Sequence, residues 1–552
     1  MFIDFLDAAA PTELDADICI VGAGAAGIAM ARTFIGSSLR VCLLEGGGSG
    51  GELRSQALYQ GDSIGSPPFD PVSSRMRVFG GSCNLWGGGC MPLSSLDMSP
   101  RDWVPHSGWP LSPADLAPWY QRARTFCGIE DHALDGDRFL TAPAQPPLPF
   151  APDTLVNQIF VRSPVLFGRA YRTELERAGN LTVLLHANLL ELEAMPDGKT
   201  VHQARIGSLT GRRGTVRARH YVLACGGIEN ARLLLLSDAT VPGGLGNRHD
   251  LVGRYFMDHP SGKLGTLHSR QADRLARPYD RQRGKGVAPP FPEIGLSEQA
   301  QRAHRMLNAR VHPFAVEGRV SRGLHALRSL RAALREPPMD ENARLEAHLC
   351  AAMRSEAAPA PGRRTPAAPS LGKLALQLGF GMGDVAHALG RKLADKPAVR
   401  TSHVDLVGYF EQAPNPDSRI SLSRERDALD QRKVRIDWRL TELDRHTFRT
   451  SAQLFGAELA RACGGRFEPE PWLGDESGTP QVRGTAHHLG TTRMADDPRR
   501  GVVDRDCRVH GMDNLHVAGS SVFPTGGWAF PTFTIVAMSL RLADRLQALC
   551  GA

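Results

Sequence analysis

At 552 residues, 42% hydrophobic and 22% charged, the chain has the composition of an ordinary globular protein and the length for two or three domains with sizeable cores. Its formal charge of +7 comes from 58 Arg against 7 Lys scattered along the whole length, which marks no basic patch and argues against a nucleic-acid partner. Ten Cys are dispersed without a C-x-x-C pair, so free thiols in a reducing compartment are expected, with no disulfide framework and no metal site.

The chain opens "MFIDFLDAAAPTELDADICIVGAG", with no basic n-region, no long apolar run and no twin Arg, and a first strand expected near Asp15. No apolar run reaches the length of a membrane span, so the expectation is a cytoplasmic protein without a leader or a transmembrane segment. Residues 15–48 read as an apolar strand, a Gly-rich turn, a small-residue helix and a second strand, "RVCLLE", ending in an acid: one βαβ unit. Gly22, Gly24 and Gly27, with Ala25 and Ala26 between them, form G-x-G-x-x-G at the strand–helix turn. The three glycines suit a tight turn, close approach of backbone to a pyrophosphate, and close helix–strand packing. The helix N-terminus behind them offers free N–H groups to phosphate charge, and Glu45 at the end of the next strand can accept from ribose hydroxyls.

Further along, "RVFGGSCNLWGGGCMPL" (77–93) is a Gly-rich loop. "HSGWPLSPADLAPWYQRAR" (106–124) starts a helix with a Ser cap and a Pro just inside it, and 135–160 is Pro-rich and loop-like. "RARHYVLACGGIENARLLLLS" (217–237) repeats the strand–turn–helix pattern, with Ala224, Cys225, Gly226 and Gly227 at the turn. From about 262 to 400 the character changes to Pro/Ala-rich stretches such as 355–372 and Arg-rich helical pieces such as 321–336, the latter read as a solvated lid helix over the substrate entrance. Strand-like alternation returns over 405–441, and from 485 the chain is Gly-rich again and closes on a helix. There is no internal repeat of fixed period.

Taken together, Gly22/Gly24/Gly27 with Glu45, "GGSCNLWGGGCMPL" (80–93), "ACGGIENARLLL", "VGRYFMDHP" (252–260), and "HHLGTTRM" followed by "NLHVAGSSVFPT" (487–525) resemble, in order and spacing, the glucose–methanol–choline (GMC) oxidoreductases. "HSGWPLSPADLAPWY" and "EQAPNPDSRISLS" resemble the bacterial branch near pyranose oxidases and sugar dehydrogenases; only 265–400 is unlike the family. The resemblance implies an α/β fold: a Rossmann-type FAD-binding domain from 1–110, 195–262 and 485–552, and an α+β substrate domain with an antiparallel sheet from 111–194 and 263–484. Within the latter, 300–400 is expected to be a helical insertion.

The resemblance also implies that the loop carrying Gly80, Gly81, Ser82, Asn84, Trp86 and Gly87 lies along the flavin. Asp513, Asn514, Gly519 and Ser520 would pass the ribityl and pyrimidine region, with less definite roles for Ser521 and Thr525. Ala224 and Gly226, and the turn Phe530–Pro531–Thr532, would complete the cofactor contacts. Leu85 stands where some members carry a flavin-linked His, so FAD is expected to be non-covalent.

Alcohol oxidation by a flavin needs a base for the hydroxyl proton and the carbinol carbon against flavin N5. In "TAHHLGTTRM" the family's H-x-x-G-T pattern gives His487 the base position, with His488 the alternative one residue on. The family's second polar residue, a His or Asn before the last helix, is replaced by Phe530, and Trp528 and Phe530 are expected to wall the substrate pocket. Three readings of Phe530 stand open. Another group (His488, His259 or one from 262–400) replaces it in a plain sugar or polyol enzyme. Alternatively the substrate is more apolar and belongs to secondary metabolism. Or redox chemistry is lost or exchanged for a lyase-like reaction. A plain core Phe in a rearranged turn is the fourth. The substrate is expected to be a small molecule; the electron acceptor is left open between oxygen, a quinone and a carrier.

Overall fold

A computed structural model describes residues 1–130, 149–279, 290–333, 344–349, 371–393 and 398–551. The Pro-rich stretch at 135–148 and the Pro/Ala-rich segment at 355–370 lie outside the described residues.

The first sheet has eight strands. Its path runs Phe2–Asp4, Leu181–Leu185, Val41–Leu44, Glu13–Val21, Arg213–Leu223, Val201–Gly207, Asn188–Ala194, and Leu515–Val517 pairs with Arg213–Leu223 off this path. The pairings from Phe2–Asp4 to Leu515–Val517 are parallel, and the hairpin of Asn188–Ala194 and Val201–Gly207 is antiparallel to its neighbour. The apolar run of Glu13–Val21 is buried on both faces from Ile18 on, as a central parallel strand requires. The helices Ala25–Thr33 and Pro531–Cys550 pack against each other beside this sheet. Among the described residues, no helix is long and apolar enough to cross a membrane.

The second sheet is antiparallel throughout. Its order is Arg466–Pro469, Ser261–His268, Thr401–Phe410, Ala309–Glu317, Pro290–Leu296, Leu155–Arg162, Gly89–Cys90. The long helix Glu442–Cys463, capped by Thr441 with Asp444, covers one face through Phe448, Phe455 and Leu459 on Leu264, Val311 and Leu406. Strand alternation sends Arg310 and His312 to the opposite face from Ala309 and Val311. A third, small sheet joins Arg419–Arg426 and Arg432–Asp437 to Gly61–Ser63.

Several expected boundaries shift. Leu181–Leu185 and Asn188–Ala194 belong to the first sheet, not to the second half of the molecule, because parallel pairing to Val41–Leu44 claims one and the hairpin claims the other. Gly89–Cys90 sits at the edge of the second sheet. The short strand Phe2–Asp4, ahead of the expected first strand, pairs with Leu181–Leu185. Residues 300–400 are not a purely helical insertion: Ala309–Glu317 is an interior strand of the second sheet, and the helices among the described residues include Arg322–Ala333, 344–349, Leu371–Phe380 and Met382–Leu393. The helix Arg322–Ala333 packs on Leu371–Phe380.

One side chain ties the ends of three segments together. Asn230, fully buried on the helix Gly226–Leu236, accepts from the Cys225 N–H (2.7 Å) and donates to the Ala518 carbonyl (3.0 Å) and Ser521 Oγ (2.9 Å). Truncating it would leave the buried Ala518 carbonyl and the Cys225 N–H without this partner, and an unsatisfied buried group costs about 1–3 kcal/mol. Asn230→Ala is therefore expected to lower unfolding free energy by at least about 2 kcal/mol, read as a shift in the urea midpoint at unchanged slope.

Candidate active site

The parallel strands of the first sheet end together. Val21, Leu44, Leu223 and Val517 occupy matching register positions, and the residues just past them (Gly22, Glu45, Ala224, Gly519) line one cleft. A crevice outside the carboxyl ends of parallel strands is where open α/β sheets bind ligands.

Gly22 has φ 102°, and a Cβ there would lie 2.7 Å from the Ala224 carbonyl oxygen, so the turn admits glycine alone. A Cβ on Gly27 would lie 1.9 Å from the Gly22 carbonyl oxygen, which places Gly27 behind the cleft as the packing glycine. Gly24 is different: a Cβ there meets nothing within 4 Å, and neither does one on Gly226. Both line the cleft, and both leave room that an extended ligand fills. The helix starting at Ala25 has Gly24 as its N-cap and no side-chain cap; the helix starting at Pro531 has Phe530 as its N-cap and likewise none. Pro531 and Thr532 line the cleft, so two uncapped helix N-termini with their partial positive charge open into it.

Glu45 is buried at the cleft wall, its carboxylate accepting from the N–H groups of Ala23 (3.1 Å) and Gly47 (2.8 Å). Burial raises its pKa against the pull of those N–H groups and of Arg77. His488 also lines the cleft, buried beside the rings of Phe69 and Phe256, and its Nε2 has no hydrogen-bond partner. An orphaned buried nitrogen, open glycines, two uncapped helix ends and a buried acid at the second strand end together fit an FAD molecule laid along the cleft.

Ala25, Ala26, Gly81, Ser82, Gly519, Ser520 and both histidines of the pair at 487–488 line the same cleft. Gly80, Asn84, Trp86 and Gly87 do not. Gly80 donates its N–H to the Ala23 carbonyl (2.8 Å), Asn84 to the Phe79 carbonyl (2.8 Å) and Trp86 to the Val165 carbonyl (3.1 Å), so they support the loop from behind. Asn514 is spent on Val201, bonding its N–H and its carbonyl. Asp513 is close to the Thr200 hydroxyl (3.4 Å). Ser521 joins Asn230 and Thr492, and Thr525 joins Trp109 and the Asp97 carbonyl. Leu85 packs with Met76, Val78 and Leu349. Gly61–Gly65 also reads G-x-S-x-G, but it forms a short strand rather than a strand-to-helix turn, so Ser63 is no nucleophile elbow.

Sequence reasoning missed a charged floor. Arg75 pairs with Glu229 (2.7 Å), Glu229 with Arg232 (3.2 Å) and Arg232 with Asp427 (2.7 Å), all nearly buried and all lining the cleft. Burial opposes ionisation of Glu229, but Arg232, Arg75 and Arg77 outweigh it and hold the carboxyl at about 2. The guanidinium of Arg75 lies 3.9 Å from the Tyr59 ring centre. The only signal in the sequence was the pair Arg75 and Arg77, two residues apart just ahead of the Gly80 loop.

Around His487, at the other end of the cleft, four polar residues from two segments come together: Asp258, His259, Thr485 and His487 itself. Asp258 Oδ1 accepts from the backbone N–H groups of His259 (2.6 Å), Thr485 (3.0 Å) and His487 (3.0 Å). Burial raises the Asp258 pKa to about 6, although these N–H groups oppose the shift. The His259 and His487 rings meet Nδ1 to Nδ1 at 3.0 Å, and Thr485 Oγ1 is also 3.0 Å from His487 Nδ1. Ala486, at φ 63°, takes the left-handed turn that sends the two histidines apart. Burial, then Arg310, lowers the His487 pKa to about 3; burial and then Arg75 push His488 well down. His487 is thus a neutral imidazole.

Phe530 and Trp528 do not line the cleft. Phe530 is half-buried, its ring 5.6 Å from that of His487 and 4.8 Å from that of Phe160. Trp528 is buried, and the Arg310 guanidinium lies 5.2 Å from both rings and 3.8 Å from that of Tyr409. Arg310 and His312 both pair with the buried carboxylate of Glu293 (2.9 and 3.0 Å). The face of the second sheet turned toward His487 is therefore aromatic and charged. Among the described residues, no group of three or more metal-ligating side chains comes together.

Residues 414–539 match the family model described as GMC oxidoreductase. The C-terminal part of the chain thus carries a GMC oxidoreductase domain. The chain is 25% identical to 6'''-hydroxyparomomycin C oxidase of Streptomyces lividus over 96% of this chain and 91% of that one. It is 28% identical to the fructose dehydrogenase large subunit of Gluconobacter japonicus over 60% of this chain and 47% of that one. Pyridoxine 4-oxidase from Mesorbium loti shares the fold, with a TM-score of 0.56 at 20% identity over 96% of this chain and 98% of that one. The chain is accordingly an enzyme of the oxidoreductase class, and the fit of its cleft to FAD agrees with these similarities.

The two cleft glycines differ in what a side chain would strike. Gly22→Ala is expected to destabilise the fold itself, because the strike is on backbone. Gly24→Val is expected to leave the thermal midpoint of the apoprotein unchanged and to abolish flavin retention, measured as the ratio of 450 nm to 280 nm absorbance after gel filtration.

Proposed function

We propose that this enzyme oxidises a C–OH group of a sugar-like small molecule, with His487 as the base that takes the hydroxyl proton. The observation that carries the reading is a neutral, half-buried imidazole lining the cofactor cleft, whose Nδ1 is held from two sides so that its Nε2 is the nitrogen left for a substrate. Relatives named as an oxidase of a hydroxyparomomycin and as a fructose dehydrogenase subunit support the substrate class.

When bound, FAD would supply the acceptor for the two electrons lost by the carbinol carbon. The chain does the rest. Gly24, Gly226 and the two helix N-termini leave space and offer N–H groups to the anionic parts of the cofactor, and Glu45 faces its ribose. His487 Nε2 takes the hydroxyl proton. Its low pKa, due to burial and Arg310, keeps the lone pair available throughout the neutral range. FAD is held non-covalently, since Leu85 offers no nucleophile.

Phe530 supplies no hydrogen bond to the substrate oxygen. With Phe160 it presents an aromatic wall next to His487, and such a wall suits the apolar C–H face of a sugar ring or another apolar portion of the substrate. This favours a substrate from secondary metabolism over a small polyol. The reading of a scaffold without redox chemistry has no comparable support, because the base geometry is intact.

His487→Ala is expected to lower kcat for sugar-alcohol oxidation by about 10²–10⁴ with the flavin still bound, measured by anaerobic flavin bleaching in stopped flow; full activity in that variant would remove the base assignment. Phe530→Asn is expected to raise kcat/KM on simple alcohols by at least about tenfold through a new hydrogen bond worth about 1.4 kcal/mol in the transition state; no gain would show that a missing polar partner is not what sets the substrate.

A further inference from the structure

The hydrogen-bond directions around His487 follow from one hydroxyl. Thr485 Oγ1 lies 3.1 Å from the His259 carbonyl and 3.4 Å from Asp258 Oδ1, neither of which can donate. Two acceptors other than His487 are thus open to its single proton, and a hydroxyl that uses either one turns its lone pairs to His487 Nδ1 at 3.0 Å. In that arrangement the proton between them belongs to His487 Nδ1. His259 Nδ1, also 3.0 Å from that atom, must then be an acceptor, and the His259 proton resides on Nε2. Nε2 is buried against Gly526, where a Cβ would come within 3.1 Å of it; it forms no hydrogen bond there, while the backbone of Gly526 and Gly527 pulls toward the protonated ring.

We propose that His259 is a positioning residue that fixes His487 in the Nδ1–H tautomer, so that the Nε2 lone pair is the one presented to the substrate hydroxyl. The inference rests on His487 as the base and adds what makes it one. An imidazole of the other tautomer would offer an N–H to the substrate and could take no proton at Nε2. Asp258 sets the geometry: one oxygen gathers the N–H groups of His259, Thr485 and His487, locking two segments 228 residues apart in register. On turnover the hydroxyl proton moves to His487 Nε2, while the Nδ1–H remains shared with Thr485 and His259; no other bond changes at these three residues.

Three holoenzymes test this: His259→Leu, His259→Asn and His487→Ala. Leu removes the acceptor, whereas the Asn side-chain oxygen restores one near the Nδ1 position. His259→Leu is expected to lower kcat by about 10²-fold with KM changed less than about threefold and flavin absorbance intact, because loss of the tautomer disables the base but not binding. His259→Asn is expected to recover most of kcat. Full activity of His259→Leu together with an inactive His487→Ala overturns this inference and leaves the base assignment standing; full activity of His487→Ala overturns both. Equal loss in the Leu and Asn variants with flavin retained also overturns it, since the acceptor alone is then insufficient. Should the His259 variants lose flavin, ¹⁵N NMR of histidine-labelled wild-type holoenzyme decides: the His487 signal, assigned by its loss in His487→Gln, is expected to show a protonated Nδ1, and a protonated Nε2 instead overturns the proposal.

Discussion

The carbonyl oxygen of Gly22 occupies the place where a Cβ on Gly27 would lie, 1.9 Å away. Everything at the cofactor end depends on that approach. It brings the helix Ala25–Thr33 hard against the end of the strand Glu13–Val21, so that the uncapped helix N-terminus opens into the crevice instead of standing off from it. The same turn receives the Gly80 N–H on Ala23 and is closed from the other side by the Ala224 N–H on Val21. Three stretches of chain are thereby stitched at one level, and the cleft exists because they stop there together.

A second constraint, smaller in extent, governs the chemical end. A single buried carboxylate oxygen, on Asp258, holds three backbone N–H groups. The desolvation of that carboxylate is unfavourable, as its raised pKa shows, and the three donors partly offset it. What the arrangement yields is a pair of imidazoles at hydrogen-bonding distance whose surroundings keep both neutral. Arg310 contributes to this from across the interface, stacked on Tyr409 and balanced by Glu293. The second sheet thus helps to set the electrostatics around the two imidazoles.

The glycine turn, the acid at the second strand end, the repeat of strand–turn–helix at 217–237 and the histidine pair were all legible, because each is a local pattern whose spacing is set by backbone geometry. The charged floor of Arg75, Glu229, Arg232 and Asp427 was not, since its members come from three distant segments and each alone reads as a solvated residue. The strand Ala309–Glu317 was hidden inside a stretch whose Arg and Ala content favours helix; pairing to Thr401–Phe410 and Pro290–Leu296 overrides that propensity. Leu181–Ala194 was assigned to the wrong side for a similar reason, as nothing in an apolar run tells which sheet edge will accept it.

By itself, the sequence determined the cofactor turn, the parallel βαβ core and which residue types were on hand for proton transfer, because turns and periodicity are properties of neighbouring residues. Only the tertiary structure decided which of two adjacent histidines meets a second imidazole. His259, 228 positions away, hydrogen-bonds His487 at Nδ1, while His488 lies against Phe69 and Phe256. Hydrogen-bond direction depends on atoms brought together by folding, and no spacing along the chain encodes it.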